Sequence, residues 1–83
     1  MKSIEKFLLD FIASSTGNTK EDIAGSENIF ADGLVDSFGF IQIITAIEEE
    51  YSIEFSQDEL MSKSLANVKR FAEFIDNKRD NNE

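Results

Sequence analysis

Apolar residues recur at helical spacing along most of the chain. The first set, near the N-terminus, follows the spacing i, i+3, i+4, i+7 and i+8 and consists of Ile4, Phe7, Leu8, Phe11 and Ile12. This spacing places the side chains on one face of an amphipathic helix. Ser3 stands where an N-cap residue would begin that helix, and Gly17 or Asn18 suits the left-handed position that ends one.

A second apolar set predicts a helix from about Ser37 to Tyr51. Its expected buried stripe consists of Phe40, Ile44, Ile47 and Tyr51, widened by Ile41 and Ile43. Another stripe at the same spacing is polar except for its first member and consists of Phe38, Gln42, Thr45 and Glu49. A large aromatic residue above a polar stripe either folds back onto the core or stays exposed for a partner, and the spacing alone favours the core.

The C-terminal third predicts a short helix and a last long one. Ser56 and Glu59 have the spacing of a capping box, which opens the short helix at about Gln57 to Met61. Ser64 is the predicted cap of the last helix, whose apolar face consists of Leu65, Val68, Phe71, Ala72 and Ile75. Residues 76–83 are polar, and we expect them to be frayed.

The segment from Thr19 to Asp36 connects the first two predicted helices. Thr19 and Asp22 resemble a capping box, which predicts one short turn. The segment is too apolar for a floppy linker, because it contains Ile23, Ile29, Phe30, Leu34 and Val35. We expect its own side chains to pin it. The predicted fold is therefore all-α: residues 1–83 form one domain, a small four-helix bundle of three main helices and one short helix, with a long loop between helices one and two.

Composition then restricts the chemistry. The chain has no Cys and no His, which excludes thiolate or imidazole nucleophiles, bases and metal ligands. An EF-hand beginning at Asp32 would place Ser37 at the glycine position and Ile43 at the final glutamate position, so the calcium pattern fails. Consecutive carboxylates at Glu48 to Glu50 point about 100° apart on a helix and do not converge on one substrate. We predict no metal site, no catalytic residue and no enzymatic activity.

Charge and hydropathy indicate the cellular compartment of the protein and the class of its partners. No apolar stretch approaches the ~20 residues that span a bilayer, and the N-terminus lacks a signal-peptide core, so we expect a cytoplasmic protein without stable membrane insertion. The net charge of −9 argues against nucleic acid as a partner. From Glu21 to Ser62 there are eleven acidic residues and no Lys or Arg. This acidic surface either serves solubility or docks basic partners.

Ser37 is the candidate for covalent chemistry, since it follows a glycine-containing loop and begins an apolar helix. It has two structural explanations: Ser37 caps the helix, or Asp36 is the cap and Ser37 is the first helical residue. Both explain a serine here, and local chemistry favours them. A helix N-terminus also favours an anionic group, because its free N–H groups and dipole are positive.

The stretch Gly33-Leu34-Val35-Asp36-Ser37-Phe38, with its apolar helix and the following Ile47-Glu48-Glu49-Glu50-Tyr51, resembles the acyl/peptidyl carrier protein family. The resemblance extends over about residues 4–77. In that family the motif is Asp-Ser-Leu, and its serine carries 4′-phosphopantetheine transferred from coenzyme A. The resemblance implies that Ser37 is the attachment residue and Asp36 its motif neighbour. It also implies that the arm supplies the missing thiol, that cargo is held as a thioester, and that partner enzymes do the chemistry.

The resemblance implies a docking surface as well. Family members dock through the start of helix two and nearby acidic residues, which correspond here to Phe38, Gln42, Thr45, Glu48 and Glu49. This favours partial exposure of Phe38. The implied partners are a phosphopantetheinyl transferase, a ligase that loads acyl or aminoacyl groups, and downstream synthases with basic docking surfaces. We expect the carrier to be a monomer.

Two residues depart from the family motif. Phe38 replaces the usual Leu, and Gly39 stands where fatty-acid carriers have a polar residue. Asp-Ser-Phe-Gly is similar to D-alanyl carrier proteins, but the Pro/Trp-containing segment of those carriers is absent from residues 57–67. The cargo and pathway therefore stay open. The alternative to a carrier is a non-catalytic acidic interaction module in which Ser37 is only a helix cap.

Overall fold

The computed structural model describes residues 3–81, and their side chains as far as residue 79. Within this range the chain forms five α-helices and one 3-10 turn: α1 (Ile4–Thr16), α2 (Lys20–Gly25), α3 (Ser37–Tyr51), α4 (Gln57–Leu60), the turn Lys63–Ala66, and α5 (Val68–Asn81). The described residues contain no strand. The predicted all-α bundle is confirmed. Three of its helices are long, as expected, and the connection between the first two long helices contains a further short one, α2.

α1 is the central element of the packing, because it contacts α2, α3 and α5. Ser3 caps it by accepting a hydrogen bond from the Lys6 N–H at 3.0 Å, and Gly17 ends it with a left-handed φ of 79°. The innermost side chains are all apolar and come from every helix except α4, from the connection before α3 and from the 3-10 turn: Leu8, Ile12, Ile23, Ile29, Ile47, Leu65, Val68, Phe71 and Ile75. Burial of such a side chain stabilises the fold by about 1.5–3 kcal/mol.

The connection before α3 is pinned, as the sequence predicts. Ile23 and Ile29 are fully buried. The Ile29 N–H donates to the Ala66 carbonyl at 2.8 Å, and the Ile29 carbonyl accepts from the N–H groups of Leu34 and Val35 at 2.9 and 3.1 Å. The first bond attaches the connection to the 3-10 turn, and the other two close its last part. They therefore fix the place at which α3 begins.

One prediction for the C-terminal part is wrong. Ser64 does not cap the last helix; the Asn67 side-chain oxygen accepts from the Arg70 N–H at 3.1 Å, and Leu65 belongs to the 3-10 turn. Residues 76–81 continue α5, and Lys78 within them forms a salt bridge to Glu59. The last two residues of the expected frayed tail, 82 and 83, lie outside the described residues.

Candidate functional site

The start of α3 has a well-defined cap. Asp36 has extended backbone geometry, and its Oδ1 accepts a hydrogen bond from the Gly39 N–H at 2.7 Å. Its carbonyl accepts from the Phe40 N–H at 2.9 Å. Of the two explanations left open by the sequence, the structure selects the second: Asp36 is the cap and Ser37 is the first helical residue.

The Ser37 side chain is exposed. Over residues 3–81 no group donates to its hydroxyl or accepts from it. The N–H groups of Ser37 and Phe38 likewise have no acceptor in the described part of the chain, as is usual in the first turn of a helix. This end of α3 therefore offers two backbone N–H groups without an acceptor among the described residues and presents a free hydroxyl. A phosphate ester formed there breaks no existing hydrogen bond and gains a favourable helix dipole, so the residues fit a covalently attached anionic group.

Gly39 permits the short cap. A Cβ at this position would lie 3.3 Å from Asp36 Oδ1 and 3.4 Å from Val35 Cγ1. Both distances are at or below ordinary van der Waals contact, so a side chain would press against the carboxylate that holds the first turn. Gly39, which departs from the family pattern, thus lies directly beside Asp36, the residue that caps the helix beginning at Ser37.

Four of the five predicted docking residues share the exposed face of α3: Phe38, Gln42, Thr45 and Glu49. Phe38 is 69% exposed, so its ring does not fold back onto the core. The Thr45 hydroxyl donates to the Ile41 carbonyl at 2.9 Å and stays at the surface. The structure brings these side chains onto one surface that begins next to Ser37.

Ile41 belongs to the same surface, and its predicted place in the core is wrong. Its side chain is 61% exposed. At 100° per residue it lies about 60° from Phe38 around the helix, closer to the exposed face than to Ile47. The angle alone does not decide its burial, because Ile41 also lies about 60° from the buried Ile44. We name the surface formed by Phe38, Ile41, Gln42, Thr45 and Glu49 the docking face.

Glu48, the fifth predicted docking residue, lies at the edge of this surface and is half-buried. Its Oε2 accepts a hydrogen bond from the Phe55 N–H at 3.0 Å. The carboxylate therefore holds the connection between α3 and α4. Glu49, one residue later, points away from that connection and is exposed.

Similarity to known proteins extends over most of the chain. Residues 6–75 match the family described as phosphopantetheine attachment site. The acyl carrier protein of Buchnera aphidicola subsp. Schizaphis graminum is 30% identical over 78 residues, covering 94% of this chain and 96% of that protein. The acyl carrier protein of Buchnera aphidicola subsp. Acyrthosiphon pisum is 31% identical, with coverages of 94% and 95%.

The same protein from the subspecies Baizongia pistaciae is 29% identical over 75 residues, covering 90% of this chain and 94% of that relative. No solved structure matches the chain. Among the described helices, none has the length and apolar character needed to cross a membrane.

Proposed function

Because the chain belongs to the phosphopantetheine attachment family, we propose that Ser37 is the residue that carries its 4′-phosphopantetheine. The observation that supports this most strongly is the exposed Ser37 hydroxyl, which has no partner over residues 3–81. Its neighbour Asp36 already provides the helix cap. Ser37 is thus available for modification without loss of the bonds that start α3.

The residues around Ser37 favour the attachment in three ways. In the transfer from coenzyme A, the bond from the serine Oγ to phosphorus forms as the pyrophosphate bond of coenzyme A breaks, the nucleotide leaves, and the hydroxyl proton passes to the transferase or to water. The free N–H groups in the first turn of α3 stabilise the resulting anion. The Asp36 cap keeps the first turn formed. The bonded loop before it fixes the site relative to the bundle. When attached, the arm supplies a terminal thiol to a chain that has no Cys.

We infer that the protein holds an acyl or aminoacyl group as a thioester and presents it to partner enzymes. Members of the family are carriers and not catalysts, and this chain has neither Cys nor His with which to act on a thioester. The chemistry of loading and of transfer belongs to the partners. The work of the protein is to display Ser37 and to be recognised.

We assign recognition by the partner enzymes to the docking face. It combines two exposed apolar side chains, Phe38 and Ile41, with the carboxylate of Glu49. The partners we propose are a phosphopantetheinyl transferase, a loading ligase and downstream synthases, each with a basic surface. Opposite charges speed and orient such encounters, while burial of the two apolar side chains stabilises the complex. Glu48 adds negative charge at the edge of the face.

The alternative function, an acidic interaction module without an arm, is less well supported. It explained Ser37 as a helix cap, but the capping bond is made by Asp36. Ser37 as a plain first helical residue is still compatible with this alternative, but the alternative gives its free hydroxyl no role.

Arm transfer tests the proposal directly. The purified protein is incubated with coenzyme A, magnesium and a promiscuous phosphopantetheinyl transferase, and its intact mass is measured. We expect the wild type and the control Ser14→Ala to gain the mass of one arm, and Ser37→Ala to gain none. Labelling of Ser37→Ala to the wild-type extent would show that the attachment residue lies elsewhere.

A further inference from the structure

An aromatic side chain covers the interior of the bundle next to Ser37. Phe40 follows Ser37 by three residues in α3, and side chains at this spacing are neighbours on a helix, with Cβ atoms about 5–6 Å apart. A helical side chain also leans towards the preceding turn. The Phe40 ring is half-buried and packs against the core. It therefore lies between Ser37 and the interior.

Phe40 is also the first member of the inward-facing stripe of α3. Ile44 and Ile47 follow it at helical spacing and are 7% and 0% exposed, and Phe71 of α5, in the same core cluster, is fully buried. Protein interiors are close-packed, with few voids larger than a water molecule. A chain attached at Ser37 must therefore displace the Phe40 ring before it reaches Ile44 and Ile47.

Phe30, in the connection before α3, packs against the Phe40 ring. The two ring centres are 5.3 Å apart, with an edge-to-face angle of 79°, an arrangement that aromatic pairs favour. The backbone of Phe30 is held in place, because its N–H donates to Asn28 Oδ1 at 3.0 Å and its carbonyl accepts from the Gly33 N–H at 3.1 Å. The neighbouring Ile29 is fully buried. The Phe30–Phe40 pair is thus anchored both in α3 and in a bonded loop.

We propose that the Phe30–Phe40 pair keeps the cargo outside the bundle, and that the cargo is a short or polar acyl group, such as an aminoacyl group. This inference rests on the proposed function. A long alkyl chain in water is unfavourable in proportion to its apolar area, so a carrier of long chains gains stability by sheltering them. A short or polar acyl group exposes little apolar area and needs no shelter.

Loading with an octanoyl group tests this proposal on the wild type. A promiscuous phosphopantetheinyl transferase attaches the arm alone from coenzyme A, or the arm with its acyl group from octanoyl-coenzyme A. The midpoints of thermal unfolding of the two forms are then compared. We expect them to differ by less than about 2 °C, because the octanoyl chain gains no burial in the folded state. A rise of about 2 °C or more on octanoyl loading would show that the bundle shelters the chain.

Phe40→Ala should change this behaviour. It leaves an apolar gap next to Ser37, and such gaps bind apolar molecules. Octanoyl loading should therefore raise the midpoint of this variant by at least about 4 °C relative to its own arm-only form. Cleavage of its octanoyl thioester by hydroxylamine should be at least about fivefold slower than in the wild type. The control Phe74→Ala removes a half-buried ring that stacks on Phe55 and should behave as the wild type does.

The outcomes separate this proposal from the carrier function. Octanoyl stabilisation of the wild type, or its absence in a folded Phe40→Ala, would overturn the proposal and leave the carrier function standing. Equal stabilisation of Phe40→Ala and Phe74→Ala would overturn the role of the Phe30–Phe40 pair. The wild-type comparison decides the proposal even where a variant does not fold. Failure of the wild type to gain any arm would overturn both.

Discussion

At the scale of single residues, the site depends on a division of roles between two neighbours. Asp36 uses one carboxylate oxygen to hold the Gly39 N–H at 2.7 Å, so the first turn of α3 does not need Ser37. Ser37 keeps its hydroxyl free within the described residues. Gly39 allows this arrangement, because a Cβ there would press on the capping oxygen.

The division of roles predicts unequal effects on stability. Asp36→Ala removes the cap and should lower the free energy of unfolding by about 1 kcal/mol, within a range of 0.5–2 kcal/mol. Ser37→Ala removes no bond seen in the structure and should change it by less than about 0.5 kcal/mol. Urea unfolding of both variants measures the difference. A larger loss in Ser37→Ala than in Asp36→Ala would contradict the assignment of the cap.

The residues of the motif could be predicted from the sequence, but the exposure of one neighbour could not. Asp36, Ser37 and Phe38 stand out because the motif is local, and local geometry decides what they do. Ile41 was expected in the core because it is a large aliphatic residue on an apolar helix. Helical spacing defines the angle of each side chain around α3, but it does not define which side of α3 is covered by the other elements. That depends on how α1, α4 and the 3-10 turn pack.

At the scale of elements, the last turn of α5 forms hydrogen bonds to α4 and contacts the end of α3. Lys78 Nζ donates to both carboxylate oxygens of Glu59 at 2.9 and 3.0 Å and lies 5.8 Å from the Phe55 ring centre. The Arg79 guanidinium lies 4.9 Å from the ring centre of Tyr51. The polar C-terminal sequence predicts fraying, because the residues that contact Lys78 and Arg79 are far away in the sequence and a local pattern does not reveal them. The caps of α1, α2 and α4, whose partners are three residues away, were predictable.

Lys78→Met should remove the ion pair that connects α5 to α4. We expect a loss of about 0.5–1 kcal/mol in the free energy of unfolding at pH 7, since the pair is only partly exposed. The control Lys69→Met, on the same helix and without an ion pair among the described residues, should lose less. Equal losses in the two variants would show that the contact with Glu59 contributes nothing measurable.

The effect of Lys78→Met should also depend on pH. The pKa of Glu59 is lowered by the Ser56 backbone N–H and then by Lys78. A carboxylate with a lowered folded-state pKa contributes stability above its unfolded pKa, about 4.3, and loses it as the pH falls through the lower folded-state pKa. The difference between Lys78→Met and wild type should therefore be full at neutral pH and shrink below about pH 4. Urea unfolding as a function of pH checks this sign.

At the scale of the whole molecule, charge is distributed so that one side stays negative. Two basic residues are paired with one acidic residue away from the docking face: Lys6 and Lys20 contact Asp10 at 3.2 and 2.6 Å. Those contacts hold the pKa of Asp10 below its ordinary value, the hydrogen bond from Lys20 contributing most. Among the described residues, no acidic residue of α3 forms a salt bridge. The sequence shows that acidic and basic residues are separated along the chain. Which of the charged side chains form ion pairs, and so leave the described acidic residues of α3 without a basic partner, depends on the fold.

This distribution predicts that Glu49 and Glu54 differ in importance although both are exposed glutamates. Glu49→Lys, in the docking face, should slow association with a phosphopantetheinyl transferase several-fold at low salt and flatten the salt dependence of the rate. Glu54→Lys changes the net charge by the same amount outside that face and should have a smaller effect. Stopped-flow association rates over a salt series measure both. Equal slowing would attribute recognition to net charge alone.

The central claim is that Ser37 carries the arm, and localisation of the arm within the chain tests it most directly. The modified protein is digested with trypsin, and the peptide from Glu21 to Lys63, which contains Ser26, Ser37, Ser52, Ser56 and Ser62, is fragmented by tandem mass spectrometry. The account predicts that every fragment containing Ser37, and no fragment lacking it, has the mass of the arm. An arm on any other serine of this peptide, or modified protein whose Ser37 fragments are unshifted, would contradict it.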